Sequence, residues 1–462
     1  MIADLKPYAE YKESSQAWLG DVPEHWSVLP NRALFAEVKD RDHPDEEMLS
    51  VTITRGIVRQ KALLEGSSKK DSSNLDKSAY KLVQPRDIAY NKMRAWQGAI
   101  GASALRGIIS PAYVVMRLRD DNDLPSYFHH LFRTPQFAKE AERWSYGITS
   151  DMWSLRPEHF KMIYTPEPSS AEQAAIVRFL DWVNGRLERA IRAKRKVIAL
   201  LGEQKQAIIH RAVTRGLDPS VPLKPSGIPW LGDIPQHWET PLNQRVFREL
   251  IREHGDLPET QLSLSQRDGL IATKDMRERS LQTATYDNWK VTLPGDLVLN
   301  RFKAHLGVFF AATLRGIVSF HYGVFAPKRE LCTKYFESLF HTAPYRTIYA
   351  GRSNGMTVGL QNLSNQNFYN ARCVVPPLHE QVAIVAHAER ETRTLNTAIS
   401  RLEREIELLG EYRTRLVADV VTGKLDVREA ALHLPEEAPP DTVEDEADLN
   451  PDPDASDEET AP

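Results

Sequence analysis

The 462-residue chain is too long for one ordinary domain, and its 41% hydrophobic and 26% charged residues are typical of a soluble globular protein. Its two cysteines, Cys332 and Cys373, are far apart, which argues against a zinc site or disulfide framework and favours a cytoplasmic protein. No apolar run of membrane-spanning length exists. The net charge of −4 hides a basic body, because the last 28 residues hold 12 Asp or Glu and no Lys or Arg. The rest carries 59 basic and 51 acidic residues, a balance that is compatible with nucleic acid.

The chain contains an internal repeat. Residues 18–26 read WLGDVPEHW and residues 230–238 read WLGDIPQHW, which agree at seven of nine positions at an offset of 212 residues. The correspondence continues through LRGIIS (105–110) and LRGIVS (314–319), and through the later Glu172-Gln173 and Glu380-Gln381 pairs. The repeat therefore predicts two structural units of about 210 residues each.

The first part of each half is predicted to be an α/β module. Runs rich in Ile, Val and Tyr predict strands over residues 88–93 and 108–118, and again over 297–302 and 317–325. A single helix is predicted over residues 127–143, with its counterpart over 335–349.

The second part of each half is predicted to be a long helix. From Ala171 to Ala212 there is no proline, and a four-three spacing of mostly apolar residues persists; the same spacing recurs from Ile384 to Asp419. This pattern is typical of a coiled-coil seam. Ser170 with Gln173 suggests a capping box at the first start. We expect the helices to pack together, at a length of roughly 60 Å each; packing of each helix on its own module is the alternative.

Catalytic signatures are absent from the sequence. There is neither a phosphate-binding GxxxxGK[ST] loop nor an HExxH motif. The stretch Ser110 to Tyr113, SPAY, faintly resembles an amino-methyltransferase motif, but its repeat counterpart is SFHY (319–322), so we interpret it as a turn entering a buried strand. His25 and His237 lie inside the repeated WLGDxPxHW element, where a packing or capping role is a simpler explanation than metal ligation.

Two loops in each module carry the residue types that DNA readers use, cationic groups for phosphate and planar or amide groups for base edges. One loop follows the central strand and the other follows the helix. Scaffold residues agree between the modules while loop residues differ, as expected for readers of different sequences; ordinary solvated charges are the alternative. The candidate DNA-binding residues are Lys92, Arg94, Trp96, Tyr146 and Thr149 in the first module, and Arg301, Lys303, His305, Asn354 and Thr357 in the second.

These features together resemble the specificity subunits of type I restriction-modification systems. The likeness rests on the module–helix–module–helix order, the WLGDxPxHW element, the GIISPAY strand, the PPLHEQ start of the last helix and its closing RLVADVVTGKLD, and it covers residues 10–430. The first long helix ends in AIIHRAVTRGLD and so departs from the T-G-K ending at Thr422 to Lys424.

The resemblance implies an α/β fold class: a tandem repeat of two α/β target recognition domains separated by two long helices that form an antiparallel coiled coil. The implied divisions are target recognition domains at 1–168 and 217–376, spacer helices at 169–216 and 377–428, and a disordered acidic tail at 429–462. It implies a non-catalytic chain without a cofactor of its own. Its partners would be double-stranded DNA, two methyltransferase subunits and, through them, motor-nuclease subunits.

Two other readings remain open from the sequence. The chain could be a DNA methyltransferase or nuclease with unrecognised motifs, for which tight binding of S-adenosylmethionine by the isolated chain would be the sign. A coiled-coil scaffold without nucleic acid is the other; the divergent polar loops on repeated modules argue against it.

Overall fold

The computed structural model describes residues 5–64, 76–147, 152–229, 231–252, 259–266, 269–276, 288–355 and 361–435. The chain divides into two compact units, one formed by Met1–Ala193 with Glu405–Pro462 and the other by Lys194–Arg404. Each unit contains one repeat module together with a segment of each of two long helices.

The described part of the first module contains short strands, five short α-helices and a 3-10 helix at Ala95–Gln97. The strands are β1 (Tyr11–Glu13), β2 (Asp21–Pro23), β3 (Ser27–Pro30), β4 (Phe35–Val38), β5 (Leu49–Thr52), β6 (Gly56–Arg59), β7 (Lys81–Val83), β8 (Ile88–Asn91), β9 (Ile100–Ala102), β10 (Gly107–Ile109), β11 (Tyr113–Leu118) and β12 (Tyr164–Glu167). The helices are α1 (Asn31–Leu34), α2 (Gln60–Leu64), α3 (Pro125–Phe132), α4 (Pro135–Arg143) and α5 (Pro157–Phe160), and the long helix α6 (Ser170–Arg215) follows.

A four-stranded antiparallel sheet, ordered β4-β11-β8-β9, forms the centre of this module. Tyr90 and Met116 of the sheet are fully buried against Phe128 and Phe132 of α3. The exposed edges of the small sheets are short, which limits unpaired backbone groups. Asn91 ends β8 opposite Tyr113, the first residue of β11, so the loop after β8 begins at this end of the sheet.

The second module repeats this plan. Its strands are β13 (Leu223–Pro225), β14 (Asp233–Pro235), β15 (Phe247–Glu249), β16 (Leu262–Ser265), β17 (Gly269–Ala272), β18 (Lys290–Thr292), β19 (Leu297–Asn300), β20 (Phe309–Ala311), β21 (Gly316–Val318) and β22 (Tyr322–Pro327). Its helices are α7 (Asn243–Val246), α8 (Thr333–Phe340), α9 (Ala343–Arg352) and α10 (Asn365–Tyr369). The sheet order β15-β22-β19-β20 matches that of the first module, and Asn300 lies opposite Tyr322 as Asn91 lies opposite Tyr113.

The predicted single helix over 127–143 was wrong, because two helices occupy this stretch. Pro135 cannot donate a backbone hydrogen bond, and Thr134 instead caps α4 by accepting from the Phe137 N–H at 3.2 Å. The same break at Pro344 divides the predicted 335–349 helix into α8 and α9. The predicted strand over 108–118 is likewise two strands, β10 and β11, joined by a turn at Ser110.

The two long helices are α6, of 46 residues, and α11 (Leu378–Val421), of 44 residues. In the first unit, Leu180 and Val183 of early α6 share a core with Val420 and Val421 of late α11. In the second unit, Val213 of late α6 shares a core with Ile384 of early α11. Early residues of one helix therefore pack with late residues of the other, so the antiparallel pairing is confirmed together with the α/β fold class.

The predicted capping box of α6 was displaced by one residue. Ser169, not Ser170, caps the helix, and its Oγ accepts from the Glu172 N–H at 3.4 Å. Gln173 faces the module instead: its side chain donates to Asp123 at 2.8 Å and accepts from the Leu124 N–H at 2.8 Å. The side chain thus joins the start of α6 to the segment that leads into α3.

A glycine follows the end of each long helix, and the start of the stretch predicted as a disordered tail forms a short helix. Gly216 and Gly423, at φ of 73° and 77°, adopt the left-handed conformation that ends helices, directly after α6 and one residue beyond Thr422. Residues 429–435, placed by the sequence at the start of a disordered tail, include most of α12 (Arg428–Leu432) and the buried Leu434. The rest of the predicted tail lies outside the described residues.

Candidate nucleic-acid interface

The first predicted loop of each module is a tight turn that follows the central strand. Asn91 ends β8 and its Oδ1 accepts from the Met93 N–H at 2.9 Å; Asn300 ends β19 and accepts from the Phe302 N–H at 3.1 Å. Both turns close on a left-handed glycine, Gly98 and Gly307. An asparagine cap and a left-handed glycine therefore fix the same backbone conformation in both modules, and the side chains between them can differ.

The second predicted loop of each module is joined to the first by a backbone hydrogen bond. The Leu155 N–H donates to the Lys92 carbonyl at 2.9 Å, and the Leu363 N–H donates to the Arg301 carbonyl at 3.0 Å. The structure thus brings together two loops that are about 50 residues apart in sequence, and it does so at equivalent positions in both modules.

The second loops also share one framework at their base. Reciprocal backbone hydrogen bonds link Tyr146 to Ser154 in the first module, and Asn354 to Asn362 in the second. Thr149 and Thr357, two of the predicted DNA-binding residues, lie outside the described residues.

The remaining candidates of the first module lie close together. Trp96 donates its Nε1–H to the Met93 carbonyl at 2.9 Å and packs edge-on against Trp153 of the second loop at 5.5 Å. Arg94 donates to the Gln97 side chain at 3.2 Å. Lys92 is half-buried, whereas Tyr146 is 58% exposed.

The second module places its candidates differently. Arg301 donates to Glu249 at 2.8 Å, so its guanidinium is held by a carboxylate on β15, which is separated from β19 by β22. Lys303, the counterpart of Arg94, is exposed, as is Asn354. The Nδ1 of His305 is buried and has no hydrogen-bond partner in the described protein.

The local carboxylates at the strand starts are already paired with other arginines. Asp87 accepts two hydrogen bonds from Arg117, at 2.7 and 2.9 Å, and Asp296 accepts from Arg252 at 2.5 and 3.2 Å. Neither carboxylate is therefore the partner of Arg301. Arg301 does have a carboxylate partner, but it is Glu249.

Two lysines that the sequence analysis missed lie beneath the first loops. Lys81 of β7 donates to the Tyr113 carbonyl, and Lys290 of β18 donates to the Tyr322 carbonyl at 2.9 Å. Burial, and after it the nearby Lys92 ammonium, lowers the pKa of Lys81. Lys290 also lies 3.1 Å from Glu249. The offset of 209 residues between these lysines was a usable signal in the repeat.

The loop segments are free of carboxylates. Residues 92–97 read KMRAWQ and 301–306 read RFKAHL, while the adjoining turns read SPAY (110–113) and SFHY (319–322). Cationic and neutral polar groups without acidic neighbours on the same segments suit contact with an anionic backbone.

The repeated WLGDxPxHW element anchors each module to a long helix. Trp26 and Trp238 are fully buried, and His25 and His237 lie 2.9 and 2.6 Å from Glu172 and Glu380. The packing or capping role predicted for them takes the form of this contact to a glutamate, since both histidines are exposed and lie outside the packed core. Their glutamate partners belong to the repeated Glu-Gln pairs, so both repeated motifs form one contact.

Among the described residues, no group of three or more His, Cys, Asp or Glu side chains is arranged to hold a metal ion. Of the helices described, none has the length and apolar character needed to cross a bilayer.

The fold defines a class of protein with two repeated α/β domains and a pair of long antiparallel helices. No family model and no curated protein matches the chain. Among solved structures, it is similar to a chain from a study of complex assembly and conformational transition of the type I R-M system, at 14% identity and a TM-score of 0.55, covering 87% of this chain and 99% of that one.

Two further solved structures align at lower scores. The HsdS subunit from Thermoanaerobacter tengcongensis aligns at 15% identity and a TM-score of 0.38, covering 87% of this chain and 98% of that one. The type I restriction-modification S subunit from M. genitalium aligns at 11% identity and a TM-score of 0.33, covering 86% and 96%. At such low sequence identities, the similarity to solved structures supports a shared fold and nothing more. That support comes from the first structure, whose TM-score is 0.55.

Proposed function

We propose that this chain is the DNA-reading specificity subunit of a type I restriction-modification enzyme. The observation that carries the proposal is the pair of joined loops in each module, built on one backbone frame and carrying different side chains. Two such modules would read two different half-sites of a bipartite DNA sequence. The fold that the chain shares with a component of a type I R-M system supports the same function.

The partners follow from this role. We infer that the paired helices dock two methyltransferase subunits and, through them, the motor-nuclease subunits, while this chain supplies no catalysis and no cofactor. The target recognition domains at 1–168 and 217–376 and the spacers between them remain part of this proposal. The alternative is an enzyme, a DNA methyltransferase or nuclease with unrecognised motifs, and the SPAY stretch is the one faint motif that bears on it. Ser110 accepts from the Tyr113 N–H at 3.0 Å there, which is the geometry of a structural turn.

The first test compares two equivalent loop residues. Arg94→Ala and Lys303→Ala should each weaken recognition of one half-site and leave the other unchanged, because each residue belongs to one module. A lost base contact should cost about 1–3 kcal/mol and relax specificity, whereas a lost phosphate contact should reduce the salt slope by about one. The measurement is a map of methylated adenines together with binding affinity, made on the assembled methyltransferase.

The same assay ranks the other candidates. We assign Arg301 a structural role, because its guanidinium is bound by Glu249. We assign Lys92 a contact to a DNA phosphate. Lys328→Ala is the control, since this exposed residue follows β22 at the end remote from Tyr322 and the loops. If both loop variants kept full affinity for DNA and an unchanged recognition sequence, the first loops would not be the loops that contact bases. Tyr146 and Asn354 of the second loops would then be the better candidates.

A second prediction concerns the long helices. Inserting four residues near Gly202, with four near Ala398 of α11 to preserve the pairing, should lengthen the gap between half-sites without changing their sequences. Four residues add about 6 Å, close to two base-pair steps. No atom lies within 4 Å of a Cβ built at Gly202, so the site tolerates the change. Selection from randomised duplexes checks the gap; altered bases at a constant gap would contradict a spacer role.

A further inference from the structure

The first loop of the second module and the adjoining turn at 319–322 together expose three aromatic rings. Phe302 is 40% exposed and Phe320 is 46% exposed, and His321 lies between them. The ring centroids are 5.4 Å apart for Phe302 and His321 and 3.8 Å apart for Phe320 and His321. Apolar rings grouped at the surface in this way usually mark a binding surface.

The first module lacks these rings at the equivalent positions. Its counterparts of Phe302, Phe320 and His321 are Met93, Pro111 and Ala112, in the same turns on the same strands. The backbone frame does not require aromatic residues here, because the first module forms the same frame without them. The rings are therefore a property of the second module's surface and not of its fold.

The surroundings of the rings favour nucleic acid as the occupant. The exposed Lys303 follows Phe302 directly, and neither 301–306 nor 319–322 contains a carboxylate. The Arg301 carbonyl accepts from the Leu363 N–H, which follows the second loop, so Phe302 comes directly after the residue that joins the two loops. Glu249 contacts Arg301 and Lys290 and is paired with them, whereas Lys303 is exposed beside the rings. An exposed lysine complements the charge of a phosphate backbone.

We propose that Phe302 and Phe320 read thymine in one half-site by contacting its 5-methyl group in the major groove; this rests on the proposed DNA-reading function. The methyl group of thymine is the apolar feature among the base edges that line the major groove, and phenylalanine is one of the side chains that contact it. The second module thus selects thymine by burying an apolar surface, while Lys303 beside the rings holds a phosphate.

The test removes single methyl groups from the DNA. A duplex selected from a randomised pool by the full chain, assembled with its methyltransferase partners, is remade with each thymine replaced in turn by deoxyuridine. For the unmodified protein, at least one replacement should weaken binding about fourfold, the factor for burial of one methyl group. The Phe302→Ala/Phe320→Ala variant should bind both forms of that duplex equally, and Met93→Ala, at the equivalent position of the first module, should keep the fourfold difference.

Several results would overturn the inference. These are selected half-sites without thymine, no deoxyuridine effect at any position, or an effect that persists in the double variant. Loss of the partner subunits from the double variant, with discrimination intact, would instead identify a protein-docking surface. Failure of the proposed function looks different, because then no DNA sequence is selected at all. Thermal unfolding of the double variant should match that of the unmodified protein, since both rings are exposed.

Discussion

Replacing Arg133 with alanine is expected to weaken recognition of one half-site about tenfold and to destabilise the first unit by about 3 kcal/mol. The guanidinium donates to four backbone carbonyls, those of Thr52, Ile53, Gly98 and Ile100, at 2.7–3.4 Å. Without it these acceptors lose a charged donor. The Gly98 carbonyl still accepts from the Ile100 N–H at 2.8 Å, and each buried acceptor that is left unsatisfied costs about 1–3 kcal/mol. The stability change is measured by denaturant unfolding, and recognition by methylation mapping.

The position of Arg133 explains why recognition should suffer together with stability. Gly98 ends the first loop of the first module, whereas Thr52 and Ile53 belong to the β5–β6 hairpin. The side chain therefore positions the loop from behind by tying it to the hairpin. Burial lowers the pKa of Arg133 to about 10, which still leaves it charged at neutral pH. Burial also lowers the pKa of the neighbouring His129 to about 3, so that side chain stays neutral.

Two variants separate positioning from general stability. Arg133→Lys keeps the charge but cannot reach four carbonyls in a fixed fork, so it should recover part of the stability and little of the affinity. His341→Ala changes the equivalent position of the second module, where no such carbonyl clamp is described, and should leave the first half-site unaffected. Equal weakening of both half-sites by Arg133→Ala would show that it acts on stability alone.

The sequence predicts much of this fold because the repeat doubles the information in each position. Turn-forming and buried residues recur at a nearly constant offset, so the two repeated modules and the long helices follow from pattern alone. The predicted elements were wrong where a single residue interrupts a longer pattern of apolar residues. Pro135 and Pro344 interrupt amphipathic helices, and Ser110 interrupts an apolar strand.

The candidate site could be predicted as a pair of loops in each module but not as a set of side-chain partners. Glu249 and Arg301 are 52 residues apart, and they meet because β15 and β19 both pair with β22. Such a pairing depends on strand register, which is set by the whole sheet and not by local sequence. Arg133 was missed for the same reason, since its acceptors are backbone groups that carry no sequence signal.

Comparison of the two modules distinguishes the residues that fix the backbone from the residues that differ at the surface of the loops. Residues that fix the backbone are the same in both, as in the Asn91 and Asn300 caps. The residues between these fixed points differ in chemistry, as Met93 differs from Phe302. Divergence restricted to the surface of a constant frame is what a bipartite reader needs, because each module can change its target without refolding.

Gly423→Ala is expected to destabilise the first unit by about 2–4 kcal/mol. Gly423 has a φ of 77°, and a Cβ there would lie 2.3 Å from Pro23 Cδ and 3.0 Å from the Trp26 ring. The left-handed backbone costs an L-residue about 1 kcal/mol or more, and the overlap adds about 1–3 kcal/mol. Because Pro23 and Trp26 belong to the WLGDxPxHW element, the variant should loosen its docking on the end of α11. Hydrogen exchange at β2, together with thermal unfolding, measures the loss.

Two other glycines provide matched controls for this experiment. Gly216 has the same kind of backbone, at a φ of 73°, but its Cβ would lie 3.2 Å from the Trp238 ring, so Gly216→Ala should destabilise the second unit by a smaller amount. Gly202 lies within α6 with no atom within 4 Å of an added Cβ, and Gly202→Ala should stabilise the helix by about 1 kcal/mol. If all three variants unfolded alike, close packing of the tryptophan element against the helix end would not be what stabilises each unit.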